Sequence, residues 1–253
     1  MSKNGFSNYK LIAHEKNVGT VHNFIDGLEE TSGRFIKLIS PGDALIGDNT
    51  LSAWVEKMVA SGKGWSFCRV INYRRNKDGT TTVVSARSNP QDFRPYIKED
   101  YETCRWNYVA LNDLATGASM ICAKELLVEY LEFIKGKVVY AEDNVYRIMA
   151  FDGEVAYYNP INGVRYELGD GVSTSSDSKW HALVHKDWVS TDNTMIDNMA
   201  INDCLQGKMK KVLQRQYSGN KYYRRLRFYL DKGRFVRLLK WKFCPKMTQI
   251  IEE

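Results

Sequence analysis

Proline and cysteine are scarce in this chain of 253 residues, with five of each, and no apolar run is long enough to cross a bilayer. The cysteines, Cys68, Cys104, Cys122, Cys204 and Cys244, are scattered and odd in number. They show neither a Cys-x-x-Cys nor a Cys/His spacing, which excludes a disulfide framework and a zinc module and reads as reduced thiols, mostly in a core. The longest apolar stretches, Phe35–Ile39 and Met120–Ile134, are short or broken by Lys124, Glu125, Glu129 and Glu132, so no transmembrane helix is predicted. The opening Met-Ser-Lys-Asn-Gly has no apolar segment or cleavage site of a signal peptide, which places the chain in the cytoplasm. A phosphate loop, a Gly-x-Ser-x-Gly elbow and a Cys/His nucleophile signature are absent. The four histidines, His14, His22, His181 and His185, form no metal spacing and read as surface or packing residues.

What is present is an ordinary soluble composition, 43% hydrophobic and 26% charged, with enough chain to bury a core. No Gly/Ser/Pro linker divides it. The simplest organisation is one domain over residues 1–190 and a helical basic extension over 191–253. Residues 207–246 hold fourteen basic side chains against the single acid Asp231, so the body is mildly acidic and the tail strongly basic. Leu226, Tyr229, Leu230, Phe235, Leu238, Leu239, Trp241 and Phe243 interleave with these cations. Such a helix suits an anionic membrane surface, with cations on headgroups and aromatics at the interface. Nucleic acid attracts the same charges, but the interleaved aromatics favour the membrane. A solvated helix packed on the domain is the plainer reading.

Along the chain, Tyr9–Ala13 reads as a buried strand and Val21–Glu30 as a helix with Val21, Phe24, Ile25 and Leu28 on one face. Phe35–Ile39 reads as a strand that stops at Ser40-Pro41-Gly42-Asp43. Helix, turn and strand in this order make an α/β unit, whose strand ends bind ligands. Asp48 or Asn49 caps a helix over Thr50–Ala60, with Leu51, Trp54, Val55, Met58 and Val59 inward. Trp65–Tyr73 and Thr80–Ala86 flank Asp78-Gly79 as an inserted antiparallel hairpin, and residues 87–112 read as loop. A helix over Ala123–Lys135, a short strand Val138–Tyr140, a helix over Val145–Phe151 and a strand pair Ala156–Asn159 and Val164–Leu168 around Asn162-Gly163 follow.

These segments, in this order, resemble family 2 glycosyltransferases, which transfer a sugar from a nucleotide-sugar on a GT-A fold. Glu15-Lys-Asn17-Val-Gly19-Thr-Val-His-Asn23 is similar to the loop and helix start before the family's metal-binding strand. Gly33-Arg-Phe-Ile-Lys-Leu-Ile-Ser-Pro-Gly-Asp43 is similar to that strand. Ala115-Thr-Gly117-Ala118 with Cys122–Leu127 resembles the acceptor-side loop and the helix after it. Glu142-Asp143 resembles the acidic pair near the acceptor, and Tyr166–Thr174 resembles a later loop of polysaccharide-building members. The fold so implied is α/β, a truncated GT-A (Rossmann-like) mixed sheet flanked by helices, with the basic helical extension.

The resemblance implies Asp143, beside Glu142, as the base that deprotonates an acceptor hydroxyl, because a carboxylate at a strand end does this within hydrogen-bond reach. Asn17, Gly19, Gly42 and Asp43 fall on the donor side. Asp43 is the one carboxylate left to hold Mg²⁺ or Mn²⁺ against the leaving diphosphate, since Ser40, Pro41 and Gly42 stand where the family carries further aspartates. Gly117, Trp180 and Asp187 fall on the acceptor side, although Trp180 also suits a core. Read without the resemblance, Asp43 is a turn residue and Glu142-Asp143 caps the next helix.

The family's two opening strands, which carry the donor nucleotide, have no counterpart in this sequence. Their absence leaves strand edges to be covered by a companion chain, by self-association or by a changed pairing. The function so implied is transfer of a sugar to a glycan or lipid-linked acceptor in surface polysaccharide synthesis, at the inner face of the membrane and together with a companion chain. The alternative is a non-catalytic scaffold or docking module derived from such an enzyme.

Overall fold

Trp65–Arg75 alternates its side chains so that Trp65 and Phe67 enter one core while Ser66, Cys68 and Val70 enter another, the signature of a strand covered on both faces. This strand is the middle of the sheet in a computed structural model that describes residues 8–84, 90–169, 178–217 and 232–243. The elements are α1 (Thr20–Glu29), β1 (Phe35–Ile36), β2 (Ala44–Leu45), α2 (Thr50–Ala60), β3 (Trp65–Arg75), β4 (Thr81–Val83), α3 (Arg94–Ile97), α4 (Tyr101–Ala110), β5 (Met120–Ala123), α5 (Lys124–Leu131), α6 (Asn144–Asp152), β6 (Tyr157–Glu167), α7 (Ser178–Asp197), α8 (Cys204–Tyr217) and α9 (Lys232–Lys242). The mixed sheet runs β1-β5-β3-β6-β2, with β4 paired to β3. Only β3 and β6 are parallel; the other pairs are antiparallel. The fold is thus mixed α/β, a mixed sheet flanked by helices, as the sequence implies.

The α2 bounds match the sequence reading. Trp54 and Met58, four residues apart, are fully buried against Cys68, Val70 and Val164, and the Trp54 indole donates to Ser66 Oγ at 2.7 Å. On the opposite face, α1 and α4–α8 enclose the larger core. The β3–β4 hairpin forms around Asp78-Gly79, although β3 is the sheet's centre and no insertion. Three of the described cysteines, Cys68, Cys104 and Cys122, are buried free thiols, and Cys204 is exposed.

Several expectations are corrected. Tyr9–Ala13 forms no strand and is exposed, with Leu11 80% accessible; no neighbour in the sheet offers it hydrogen bonds. Val138–Tyr140 is likewise not a strand. Ala156–Leu168 is no hairpin: β6 runs continuously through Asn162-Gly163, because Gly163 serves a close approach. A Cβ there would lie 2.6 Å from Cys68 Sγ and 3.6 Å from the Trp54 ring. The supposed loop 87–112 contains α3 and α4. Asp100 caps α4 by accepting from Thr103 N at 3.1 Å, and its polar Asn107 is buried with Trp106, Tyr108 and Val109. Residue 190 itself lies within α7, and Met195, Met209 and Leu213 beyond it are fully buried in the larger core, a packing that leaves the domain reading as it stood. The end of the hairpin strand at residues 85–86, the loop at 170–174, Cys244 and residues 218–231 of the basic tail lie outside the described residues.

Gly19 sets the start of α1 against Val139. It has φ +87°, and a Cβ there would stand 2.6 Å from Val139 O, a backbone atom held by Val21 N–H at 3.1 Å. Gly19→Ala is expected to cost about 2 kcal/mol or more, combining backbone strain with a clash that no rotamer relieves. A urea midpoint equal to that of the parent would refute this.

Candidate functional site

Glu142 and Asp143 form the turn that enters α6. Asp143 occupies the N-cap position, yet its side chain makes no capping hydrogen bond, which removes the simplest structural use of this residue. Gly117, in a short 3₁₀ turn before β5, packs directly against it: a Cβ at Gly117 would be 3.4 Å from Asp143 Cβ and 3.6 Å from Oδ2. The structure therefore brings Gly117 and the Asp143 carboxylate together. The Asp143 carboxyl keeps partial solvent access although protein surrounds it. Burial first, and then the neighbouring Glu142 charge, push its pKa up to about 7. Glu142 is raised as well, chiefly by burial, against a hydrogen bond from Thr20 Oγ1 to its Oε2 at 2.5 Å. Two adjacent carboxyls that resist simultaneous ionisation near neutral pH can hold and release a proton there.

The second cluster lies around the end of β1. Asp43 Oδ1 accepts from Glu167 N at 3.0 Å, while Oδ2 is buried with no hydrogen-bond partner. Burial is the main cause of its raised pKa. Gly42, at φ +95°, leaves room for the Glu167 side chain, whose Oε2 would be 1.9 Å from a Cβ at that position, and the Tyr73 hydroxyl donates to Gly42 O. Lys37 was not singled out by the sequence reading, although a lysine inside the apolar run Phe35–Ile39 is an available signal. Its ammonium donates to the carbonyl oxygens of Leu38, at 2.7 Å, and Ala118. Burial lowers its pKa to about 8, against the favourable charges of Cys68 and Asp43. The Lys37–Ala118 bond ties the Asp43 end of the site to the Gly117 turn beside Asp143.

As a metal centre the donor set is thin. Among the described residues no group of three or more His, Cys, Asp or Glu could hold an ion. The feature that suits a cation is the orphaned Asp43 Oδ2, a single protein oxygen, which fits a divalent ion that arrives already bound to phosphate. His14 and His22 share Asp26 Oδ2 at 3.1 and 3.4 Å, away from these carboxylates in sequence.

The remaining residues gather around Tyr140. Asp187 is buried and turned inward. Its Oδ2 accepts three consecutive backbone N–H groups, from Val139 at 3.1 Å, Tyr140 at 2.6 Å and Ala141 at 3.1 Å. It fixes the segment leading into Glu142-Asp143 and presents no oxygen outward as an acceptor contact. Trp180, two turns earlier on α7, meets Tyr140 edge-on at 5.2 Å between ring centroids. Asn17 Oδ1 accepts from Gly19 N at 2.9 Å, so Asn17 and Gly19 lie with Tyr140 and Trp180, beside Glu142 through Thr20. No helix among the described residues is long and apolar enough to cross a membrane. A scan against models of known protein families and a search of curated proteins each returned no match.

Proposed function

We propose that this chain is the acceptor-side catalytic half of a GT-A glycosyltransferase similar to family 2, acting on a nucleotide-sugar and a glycan or lipid-linked acceptor in surface polysaccharide synthesis. The observation that carries this reading is the contact between Gly117 and the uncapping, proton-retaining Asp143. In the inverting reaction Asp143 takes the acceptor hydroxyl proton as that oxygen attacks the sugar's anomeric carbon, and the nucleoside diphosphate leaves with the bonding electrons. Glu142, hydrogen-bonded by Thr20, raises the basicity of its neighbour. Asp43 Oδ2 and the Lys37 ammonium are the groups available to the departing phosphates; Mg²⁺ or Mn²⁺, when bound, supplies further positive charge there.

The donor's nucleotide half comes, in this reading, from a companion chain or a second copy that completes the sheet. Two observations support it: β1 stands at the end of the strand order and pairs only with β5 among the described residues, and Tyr9, Leu11, Ile12 and Ile39 are exposed. An open edge with apolar flanks is a template for added strands. The basic tail then holds the assembly peripherally at the membrane's inner face. In its described part, Phe235, Leu238 and Leu239 of α9 are half-buried and Lys240 O accepts from Arg94 Nη2 at 3.1 Å, so this helix also touches the body. The thin Asp43 site favours, as the second reading, a non-catalytic scaffold that keeps the fold and docks on a partner enzyme or membrane.

Calorimetry of the chain with UDP and Mn²⁺ tests the donor side. Saturable binding that disappears in Asp43→Ala is the expected result for a chain that holds its own donor site. Absence of binding to the folded chain assigns nucleotide binding to the companion, and unchanged binding by Asp43→Ala removes Asp43 from the site.

A further inference from the structure

A groove of about 460 Å³ opens between the loop ahead of α1 and the aromatic pair Tyr140 and Trp180. That volume is in the range of small-ligand sites. One wall is backbone and amide: Asn17, Gly19, Thr20 and Asn23. The other is aromatic, and its edge-to-face contact at 83° leaves the faces of one ring free for stacking. Lys16 and His14 stand at the rim, and among the described residues no carboxylate lines the groove.

The groove is held open by bonds described above. Val139 O accepts from Val21 N–H, which fixes α1 to the segment before Glu142, and Asp187 grips Tyr140 N–H from α7. Trp180 and Asp187 are seven residues apart, on the same face of α7. The side chain that anchors Tyr140 and the one that stacks on it therefore belong to one rigid helix. Asn17 uses its carbonyl on Gly19 N–H and keeps its amide N–H₂ as a donor. Thr20 lines the groove and also bonds Glu142, so the groove abuts the acidic pair.

Flat aromatic faces opposite planar amides and a hydroxyl match a pyranose, whose C–H face is apolar and whose rim is hydroxyl. We infer that this groove is a sugar subsite that takes a hexose or hexuronic acid ring, stacked on Trp180 with Tyr140 beside it and hydrogen-bonded by Asn17 and Asn23. It deepens the glycosyltransferase reading by placing a glycan residue beside Glu142, and rests on that reading only for the claim that the bound ring belongs to the acceptor. Lys16 at the rim selects for the carboxylate of a hexuronic acid.

Saturation-transfer NMR of the full chain with the methyl glycosides of glucose, galactose, mannose, N-acetylglucosamine and glucuronic acid tests it. Binding of at least one, with a dissociation constant of the order of millimolar, is expected. Trp180→Ala and Asn23→Ala each weaken it by about tenfold, Trp180→Phe retains most of it, and Lys57→Ala on the opposite layer leaves it unchanged. Lys16→Ala weakens the glucuronide selectively. Failure of every glycoside to bind the folded chain, or undiminished binding by Trp180→Ala, overturns the subsite. Asp143→Asn separates the two ideas, because its sugar-transfer rate reads the assigned base while the Trp180 and Asn23 variants read the groove. Should that variant also transfer sugar at the parental rate, the assigned base falls and the groove stands.

Discussion

On the proposed reading, Asp143→Asn is expected to lower sugar transfer by about 10²–10⁴-fold, the usual contribution of a positioned base, while making the protein more stable at alkaline pH. The two effects have one origin. Burial, with Glu142 alongside, raises the folded-state pKa of Asp143 to about 7 from an ordinary carboxyl value of 3.8. Between those values the folded chain holds a proton that the unfolded chain has lost, so stability from this group is greatest at low pH and falls as pH rises through the window. Above about pH 7 the folded protein carries a poorly solvated charge that asparagine does not. At pH 8 the variant is therefore expected to melt on the order of 5 °C higher than the parent, with little difference near pH 4. On the same reading the parent's kcat/KM is expected to rise with pH through about 7 and flatten above it, because only the ionised carboxylate accepts the hydroxyl proton. A parental rate in the variant, or a pH profile unchanged by the substitution, would remove Asp143 from the reaction.

Asp192→Ala is expected to cost about 3–5 kcal/mol, against a typical domain stability of about 5–15 kcal/mol. Arg147, on α6, is fully buried, paired with Asp192 on α7, and donates from Nη2 to Val109 O on α4 at 3.0 Å. Its guanidinium also lies 5.3 Å from the Trp188 ring centroid. Removing the carboxylate leaves a charge sealed among three helices with no counter-ion, and water cannot reach it without opening the core. The double variant Arg147→Met with Asp192→Leu removes both charges and is expected to recover much of the loss, since desolvation of an ion pair offsets most of its attraction. Urea unfolding of the two variants checks this; a double variant less stable than Asp192→Ala would show that the pair stabilises the fold outright.

How far the sequence discloses this structure depends on the range of the interactions involved. The α2 helix was legible because Trp54 and Met58 recur at helical spacing, and the β3–β4 turn because Asp78-Gly79 is a local signal. The α4 helix was hidden by its own polar residues: Asn107 is buried, and Arg105 donates to the carbonyls of Ala150 and Phe151. Its Asp100 cap was the overlooked cue. Asn162-Gly163 carries the composition of a turn, yet the demand that governs Gly163 comes from Cys68, far away in sequence. The contact between Gly117 and Asp143 is one that the resemblance alone implied, since no local pattern links the two. Asp187 could not be placed, because a carboxylate that gathers backbone N–H groups from a distant segment leaves no pattern in its neighbours. Lys37 betrayed itself only as a charge in an apolar run.

The parallel β3–β6 ladder dictates when this protein can exist during its own synthesis. Ser66–Tyr73 pairs with Tyr157–Glu167, so the centre of the sheet waits for nearly two thirds of the chain to leave the ribosome. The β3–β4 hairpin and α2 form from local contacts alone, but Trp65 and Phe67 are not fully covered until Tyr146 of α6 and Tyr158 of β6 arrive to close a long loop. During that interval the nascent chain presents aromatic surface and an unpaired strand, which is the period in which a chaperone or an early-arriving partner strand has its greatest influence on the outcome.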